Sequence, residues 1–224
     1  MVCRDLLEQL RTLPGVLSAA EVGFTPVSGS GWDQRAWAEG ATGERPDVNF
    51  DRAGPGYFRT MGTGLIAGRE FDERDTSASP KVAIVNEAFA KRIFGGANPV
   101  GRVFLVEEAA GKPDSRYQVV GLVRNTKYSE IREDFRPIGF FPMAQIDEGQ
   151  GPSTVFVLRV SSRLGELFRG ITAAVAQVHP HIGIQFHVLS QQLNESLLRE
   201  RLMTTPAGAF GLFVKLLATL GLMA

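Results

Sequence analysis

The chain has 224 residues, with 24 basic and 24 acidic side chains and a net charge of zero at pH 7. A balanced charge without a basic stripe excludes the electrostatic footprint that nucleic-acid-binding proteins share. The only cysteine is Cys3, so a disulfide framework and a thiolate zinc site are both excluded within one chain. This length suits one large domain or two small ones.

The N-terminal segment predicts a helix followed by a strand. Leucines at helical spacing indicate a short amphipathic helix over residues 4–13, which Pro14-Gly15 ends. Residues 16–24 predict a strand, and a Gly/Ser-rich loop follows to about residue 43. The first residues do not form a signal peptide, so we expect any export of this segment to depend on residues before Met1.

The middle of the chain, about 45–151, consists of short β-type runs separated by turns. The runs cover residues 47–50, 65–66, 82–85, 103–106, 117–123 and 138–141. One clear helix follows Asn86, a favourable N-cap, and stops at Gly95-Gly96. A second short helix is predicted over 56–61. This pattern of short strands and two helices predicts an inserted, β-rich α+β subdomain.

Beyond this region the pattern predicts a strand–helix–strand unit. Residues 154–160 are almost continuously apolar, which is typical of a strand buried on both faces. A helical stripe ending at Val178 follows, and residues 182–188 alternate strictly, as in a half-buried strand. The N-terminal segment looks like the same unit without its first strand. We therefore expect a weak internal repeat and a natural chain that begins before Met1.

The last residues are apolar. After Ser190 the leucine pattern predicts a helix, which runs into residues 206–224, where Lys215 is the only charge. This length approaches the roughly 20 residues of a transmembrane helix. The alternative is a buried core helix or a dimerisation helix. Lys215 opposes insertion, because a lysine in the middle of such a helix costs about 3 kcal/mol in lipid.

Candidate metal and nucleotide motifs have simpler interpretations. His179, His181 and His187 are the only histidines, and Pro180 interrupts the H-x-H pattern, so we interpret them as solvent-facing side chains. The glycine run over 61–68 nearly matches a dinucleotide fingerprint. It follows a predicted helix instead of a strand, and its last glycine is one place late. We therefore expect these glycines to serve turns that need positive φ. No arrangement of nucleophile and base stands out either.

Several stretches in the right order resemble the motifs of the MacB/FtsX-type ABC-transporter permeases. They are the A-G-P-G-Y-F-R-T-M-G run at 53–62 with L-I-A-G-R-E-F at 65–71, followed by 82–90, 94–101, 117–123 and 197–202. The resemblance covers nearly the whole chain. It implies an α+β fold in which a porter-like subdomain of βαβ repeats, 1–44 and 152–190, carries an inserted β-rich (Sabre-like) subdomain, 45–151. A stalk helix at 191–205 and the start of a transmembrane helix at 206–224 would follow.

The resemblance also implies a function. The segment would be the extracytoplasmic domain between the first two transmembrane helices, on the periplasmic side of the bacterial inner membrane. It would couple cytoplasmic ATP hydrolysis to substrate export or to the regulation of a partner. The implied partners are a second permease protomer in a homodimer, a cytoplasmic ABC ATPase, a periplasmic adaptor and, through the C-terminal segment, the membrane. No enzymatic activity, catalytic residue, cofactor, metal site or nucleic acid is implied.

Two alternatives stay open at this point. One is a soluble α/β enzyme with a buried C-terminal helix, which predicts a concave pocket with perturbed titratable groups. The other is a periplasmic adaptor anchored by its tail.

Overall fold

The computed structural model describes residues 2–25, 31–130, 133–145, 154–161, 164–178 and 183–189. The chain divides into two compact units, Met1–Ile184 and Gln185–Ala224. In the second unit, residues 185–188 of the described range have no regular secondary structure.

The helices and strands belong to the first unit. The helices are α1 (Val2–Thr12), α2 (Tyr57–Met61), α3 (Glu87–Phe94) and α4 (Leu164–Val178). The strands are β1 (Val16–Val22), β2 (Trp32–Ala38), β3 (Asp47–Ala53), β4 (Leu65–Gly68), β5 (Val82–Asn86), β6 (Val103–Val106), β7 (Ser115–Val123), β8 (Ile138–Pro142) and β9 (Val155–Val160). A 3-10 turn, Met143–Gln145, follows β8. Apart from β2, each of these strands and helices was predicted at its place to within a few residues.

The described strands join into one nine-stranded mixed sheet. Hydrogen bonding runs through β2, β6, β7, β5, β8 and β3, and returns to β2 through a direct β2–β3 pairing, so these strands close into a ring. Outside this ring, β1 pairs with β3, β9 pairs with β1, and β4 pairs with β7. The pairings of β3 with β8 and of β5 with β7 are parallel.

Aromatic side chains pack the ring against α3. Phe50 stacks on Phe141 with ring centroids 4.8 Å apart, and Phe89 of α3 meets Phe104 edge to face at 5.0 Å. Each fully buried phenylalanine contributes about 1.5–3 kcal/mol through the area it removes from water. This cluster therefore holds α3 firmly against the strands.

The β1–β9 pair carries helices on both faces. One face packs against α1 and α4 through an apolar cluster: Leu6, Leu10, Ala19, Leu167, Ile171 and Val175. The other face packs against α2 through Ala20, Val22, Tyr57 and Phe58. Arg159 of β9 also donates from Nε to the Thr60 carbonyl oxygen at 2.8 Å. These five elements therefore form a layered body with β1 and β9 in its centre.

The ends of α3 are where the local sequence predicts them. The Asn86 side chain accepts a hydrogen bond from the Phe89 backbone nitrogen, which is the expected N-cap contact. Gly95 closes the helix with φ at +67°, in the left-handed region that glycine adopts without strain. Both signals lie within the helix and its caps, so they act without help from the rest of the fold.

Three predictions about the strands are wrong. β2 lies inside the predicted loop to residue 43, because its hydrogen bonds to β3 and β6 form a strand that its charged residues obscure. The strand predicted over 182–188 is not formed over the described residues 183–188. An alternating pattern supplies an apolar face but no neighbouring strand to complete the hydrogen bonds. The 154–160 strand packs on both faces, but it is only partly buried there and not fully buried as predicted, and Arg159 on it is exposed.

Within the described residues, no helix combines the length and the apolar character that a membrane span requires. The predicted stalk helix at 191–205 and the predicted transmembrane start at 206–224, including Lys215, lie outside the described residues. The division into 1–44 with 152–190, and 45–151, stays a prediction.

Candidate functional site

A small polar cleft lies where the end of β1 and the middle of β3 meet the segment after β7. Its lining residues are Phe24, Thr25, Asp51, Tyr57, Thr126, Lys127, Tyr128, Ile138 and Phe140. The free volume is about 10 Å³, which is room for about one water molecule. The cleft is therefore too small for a metabolite.

Asp51 is the buried carboxyl group of this cleft. Only 3% of its surface is exposed, and its Oδ1 accepts hydrogen bonds from the backbone nitrogens of Phe24 at 2.9 Å and Arg52 at 2.7 Å. Burial raises the pKa of Asp51 to about 7, although these two donors and the charge of Arg52 act in the opposite direction. The carboxyl group therefore titrates near neutral pH in the folded protein.

Gly23 permits the close approach of β1 to Asp51. A β-carbon on Gly23 would lie 2.7 Å from Asp51 Oδ1, so any other residue at this position would require the carboxylate to shift.

Tyr128 fixes the other end of the segment that follows β1. Its hydroxyl accepts a hydrogen bond from the Trp32 backbone nitrogen at 2.9 Å and donates to the Phe50 carbonyl oxygen at 2.5 Å. Burial raises the pKa of Tyr128 to about 12. Asp51 and Tyr128 therefore hold the two ends of the segment 24–32 against β3.

Tyr57 completes the polar lining from α2. Burial raises its pKa above the ordinary tyrosine value, and the nearby charge of Asp51 adds to the effect. Among the described residues the lining contains no histidine, cysteine or serine. The hydrogen bonds here anchor residues 24 and 32 against β3, and burial raises the pKa of Asp51.

The metal and nucleotide candidates of the sequence fall elsewhere. His187 is exposed, while His179 and His181 lie outside the described residues. No group of three or more metal-ligating side chains comes together in the described ranges. The glycine run joins α2 to β4, with φ at +77° for Gly62 and +78° for Gly68. This confirms that these two glycines serve turns that need positive φ.

Sequence reasoning missed Asp51, Tyr57 and Tyr128 as a group. The one sequence signal for Asp51 is Ala53, a small apolar residue two places later that shares its face of the strand; in the structure both are buried. The tyrosines gave no comparable signal, since each reaches the cleft from a different part of the chain.

The mixed α/β fold is similar to that of two solved transporter domains. It superposes with a TM-score of 0.55 on the periplasmic region of MacB from Actinobacillus actinomycetemcomitans, at 17% identity, over 80% of this chain and 74% of that one. The extracellular domain of the noncanonic ABC-type transporter YknZ from Gram-positive bacteria gives 0.53 at 16% identity, over 79% and 83%. The fold is thus of the class found in extracytoplasmic domains of ABC-type transporters.

The family follows from the sequence match. The model of the MacB-like periplasmic core domain matches residues 4–176, so the chain belongs to this family. The pyoverdine export ATP-binding/permease protein PvdT of Pseudomonas aeruginosa is 27% identical over 125 residues, which is 55% of this chain and 16% of that protein. The chain therefore spans a small part of the length of this relative.

These findings confirm the resemblance to MacB/FtsX-type permeases that the motifs carried. The chain is a periplasmic domain of a MacB-like ABC-transporter permease, and its place is on the extracytoplasmic side of a membrane protein.

Proposed function

We propose that this domain couples cytoplasmic ATP hydrolysis to events outside the inner membrane, as part of a dimeric permease. The observation that carries the proposal is the family match over residues 4–176, which includes all of the described strands and nearly all of α4. The relative PvdT is by name an export protein that is both ATP-binding and a permease. Export is therefore the first activity to test, and regulation of a partner protein is the second.

The layered body around β1 and β9 supports a mechanical role. β1 and β9 pair from Val16 with Val160 to Val22 with Val155, and apolar side chains hold helices on both faces. A sheet enclosed in this way deforms little when one of its helices is displaced. In the proposed mechanism α4 moves with β9, and the predicted stalk helix at 191–205 passes the motion of the membrane helices to it.

The proposed assembly has further parts. The ATPase would be cytoplasmic, a second permease protomer would complete a homodimer, and a periplasmic adaptor would receive the motion. Residues 206–224 would begin the second transmembrane helix. The division into a porter-like subdomain and an inserted β-rich subdomain belongs to the same proposal.

Spin-label distances in the intact permease, purified with its ATPase and reconstituted in lipid, test this function. Cys3 is the only cysteine of this chain, so C3S removes the thiol of the domain, and any cysteine elsewhere in the permease or its ATPase is replaced in the same way. One label goes on the exposed face of α4 at Ala173→Cys, and a second goes on the exposed turn after β6 at Lys112→Cys. We expect the distance between the two copies of residue 173 to change when the ATPase is trapped with ATP and vanadate.

The control measures one protomer alone. The distance from residue 173 to residue 112 should stay constant, because the domain moves as one body in this mechanism. An ATPase variant that binds but does not hydrolyse ATP separates nucleotide binding from turnover. Distances between protomers that are identical in all nucleotide states would contradict the proposed coupling.

A further inference from the structure

β4 presents exposed apolar side chains at an edge of the sheet. Leu65 is 41% exposed and Ile66 is 44% exposed. β4 is hydrogen-bonded to β7, and none of the described strands pairs with its other side. The register of the β4–β7 pairing shifts between Leu65 and Ala67, which interrupts the regular ladder that an added strand needs. The side chains of this edge are therefore better placed for a contact than its backbone.

Two arginines flank the turn that leads into β4. A β-carbon on Gly62 would lie 2.7 Å from Arg159 Nη2, and one on Gly64 would lie 3.3 Å from Arg124 Cδ. The Arg124 backbone nitrogen donates to the Gly64 carbonyl oxygen at 2.9 Å. Both arginine side chains are exposed, so two positive charges stand next to the apolar edge.

Neither guanidinium group is neutralised by a carboxylate within the part of the chain that the structure describes. Arg159 donates from Nε to the Thr60 carbonyl oxygen, which leaves its terminal nitrogens on the surface. Neighbouring arginines differ in this respect, since Arg69 is paired with Asp75 and Arg116 with Glu39. A guanidinium presents several donors in a fork that matches a carboxylate. Both guanidinium groups are therefore available to a carboxylate from another molecule.

We propose that Leu65, Ile66, Arg124 and Arg159 form a docking surface for an extended segment of a partner protein that carries carboxylate side chains beside apolar ones. Charge complementarity with the two arginines selects the acidic groups, and the exposed Leu65 and Ile66 select the apolar ones. A contact made by four side chains is much smaller than a standard protein–protein interface, so we expect weak binding of a short peptide. The proposal goes beyond the coupling function and does not depend on it.

Peptide binding to the full chain in mild detergent tests the β4 surface. The probe is a short fluorescein-labelled peptide in which Glu and Asp alternate with Leu and Val, and the matched peptide has Lys in place of each acidic residue. We expect the acidic peptide alone to bind, with an affinity that falls as salt is added. Arg124→Glu should weaken binding about tenfold or more, and Ile66→Ser should also weaken it. The Arg124 side chain donates no hydrogen bond that the structure records, so R124E should keep the fold, which circular dichroism checks.

The matched control is Arg4→Glu, an identical charge reversal on the exposed face of α1. It should leave peptide affinity unchanged. Equal binding of the two peptides, or equal loss in R124E and R4E, would overturn the proposal. Two other outcomes also overturn it: binding of anionic lipid vesicles that R124E abolishes while the peptide does not bind, and self-association through the same residues in sedimentation experiments. Failure here would leave the coupling test unaffected, because that test reads distances in the intact permease.

Discussion

The side-chain oxygen of Asn86 accepts a hydrogen bond from the backbone nitrogen of Ile138 at 3.0 Å, across a separation of 52 residues. The same oxygen accepts from Phe89 at 2.8 Å, and the Asn86 amide donates to the Arg136 carbonyl oxygen at 2.8 Å. One fully buried side chain therefore caps α3 and fixes the start of β8.

Asn86→Ala should lower the free energy of unfolding by about 2–4 kcal/mol, because it removes a cap and leaves buried backbone groups without partners. Urea denaturation at neutral pH measures the loss. Asn98→Ala is the matched control, since the Asn98 oxygen also accepts from a backbone nitrogen, at Val100, but is exposed. It should cost less than about 1 kcal/mol. Equal losses in the two variants would contradict the role given to Asn86.

Asp51 should make the stability of the domain depend on pH in an unusual direction. Its pKa is raised from 3.8 to about 7, so the folded state binds more protons than the unfolded state between these values. The contribution of Asp51 to the free energy of unfolding is therefore fully present below about pH 4, and it is lost as the pH rises to about 7. A shift of this size corresponds to a change of up to about 4 kcal/mol.

Asp51→Asn keeps an oxygen acceptor for Phe24 and Arg52 and removes the titration. Urea denaturation across this pH range should show wild-type stability falling relative to D51N as the pH rises, with a constant difference above about pH 7. Asp33→Asn removes one exposed negative charge and serves as the control. Parallel curves for wild type and D51N would show that Asp51 does not titrate in this range.

Gly68→Ala should be one of the most destabilising alanine substitutions in the domain. Gly68 has φ at +78°, and a β-carbon there would lie 2.2 Å from the Val120 carbonyl oxygen. The β4–β7 pairing would have to open, at a cost of about 3 kcal/mol or more. Gly111→Ala measures the cost of placing alanine at positive φ without a clash, because Gly111 has φ at +88° and open space around it. It should cost about 1 kcal/mol, and the difference between the two thermal unfolding free energies measures the clash.

The ion pair between Arg69 and Asp75 should matter more than the one between Arg74 and Asp72. The Arg69 guanidinium bonds both carboxylate oxygens of Asp75 at 2.7 Å, and Asp75 is 3% exposed. Arg69→Gln would leave a buried charge without its partner and should cost about 2–4 kcal/mol. Arg74→Gln breaks an exposed pair and should cost less than about 1 kcal/mol. Chemical denaturation at neutral pH measures the free energy of unfolding of both variants. Similar losses of stability in the two would argue against the bidentate geometry.

Elements with local signals were predictable from the sequence, whereas elements defined by distant partners were not. α3 has its cap at Asn86 and its stop at Gly95, both next to the helix. β2 was missed because Asp33 and Arg35 interrupt its apolar pattern, and only its pairing with β3 and β6 makes it a strand. The alternation over 182–188 predicted a strand, but such a pattern does not say whether a partner strand exists.

The same limit applies to the candidate site. The motifs around residues 53–71 identified the family, because they are contiguous and their spacing is characteristic. The cleft could not be predicted, since Asp51, Tyr57 and Tyr128 lie on different elements and only the tertiary fold brings them together. The arginines of the β4 surface come from β9 and from the end of β7, about 35 residues apart in sequence, so their convergence depends on the fold in the same way.

The pairing of β1 with β9 has a consequence for biosynthesis. About 130 residues separate the paired positions Val22 and Val155, and at about 5–20 residues per second a ribosome needs roughly 7–25 s to make them. During that interval the nascent β1 has no β9 to cover its edge, and its helix α1 lacks the apolar face of α4. We therefore expect β1 to need shielding by a chaperone or by the translocation machinery while synthesis continues.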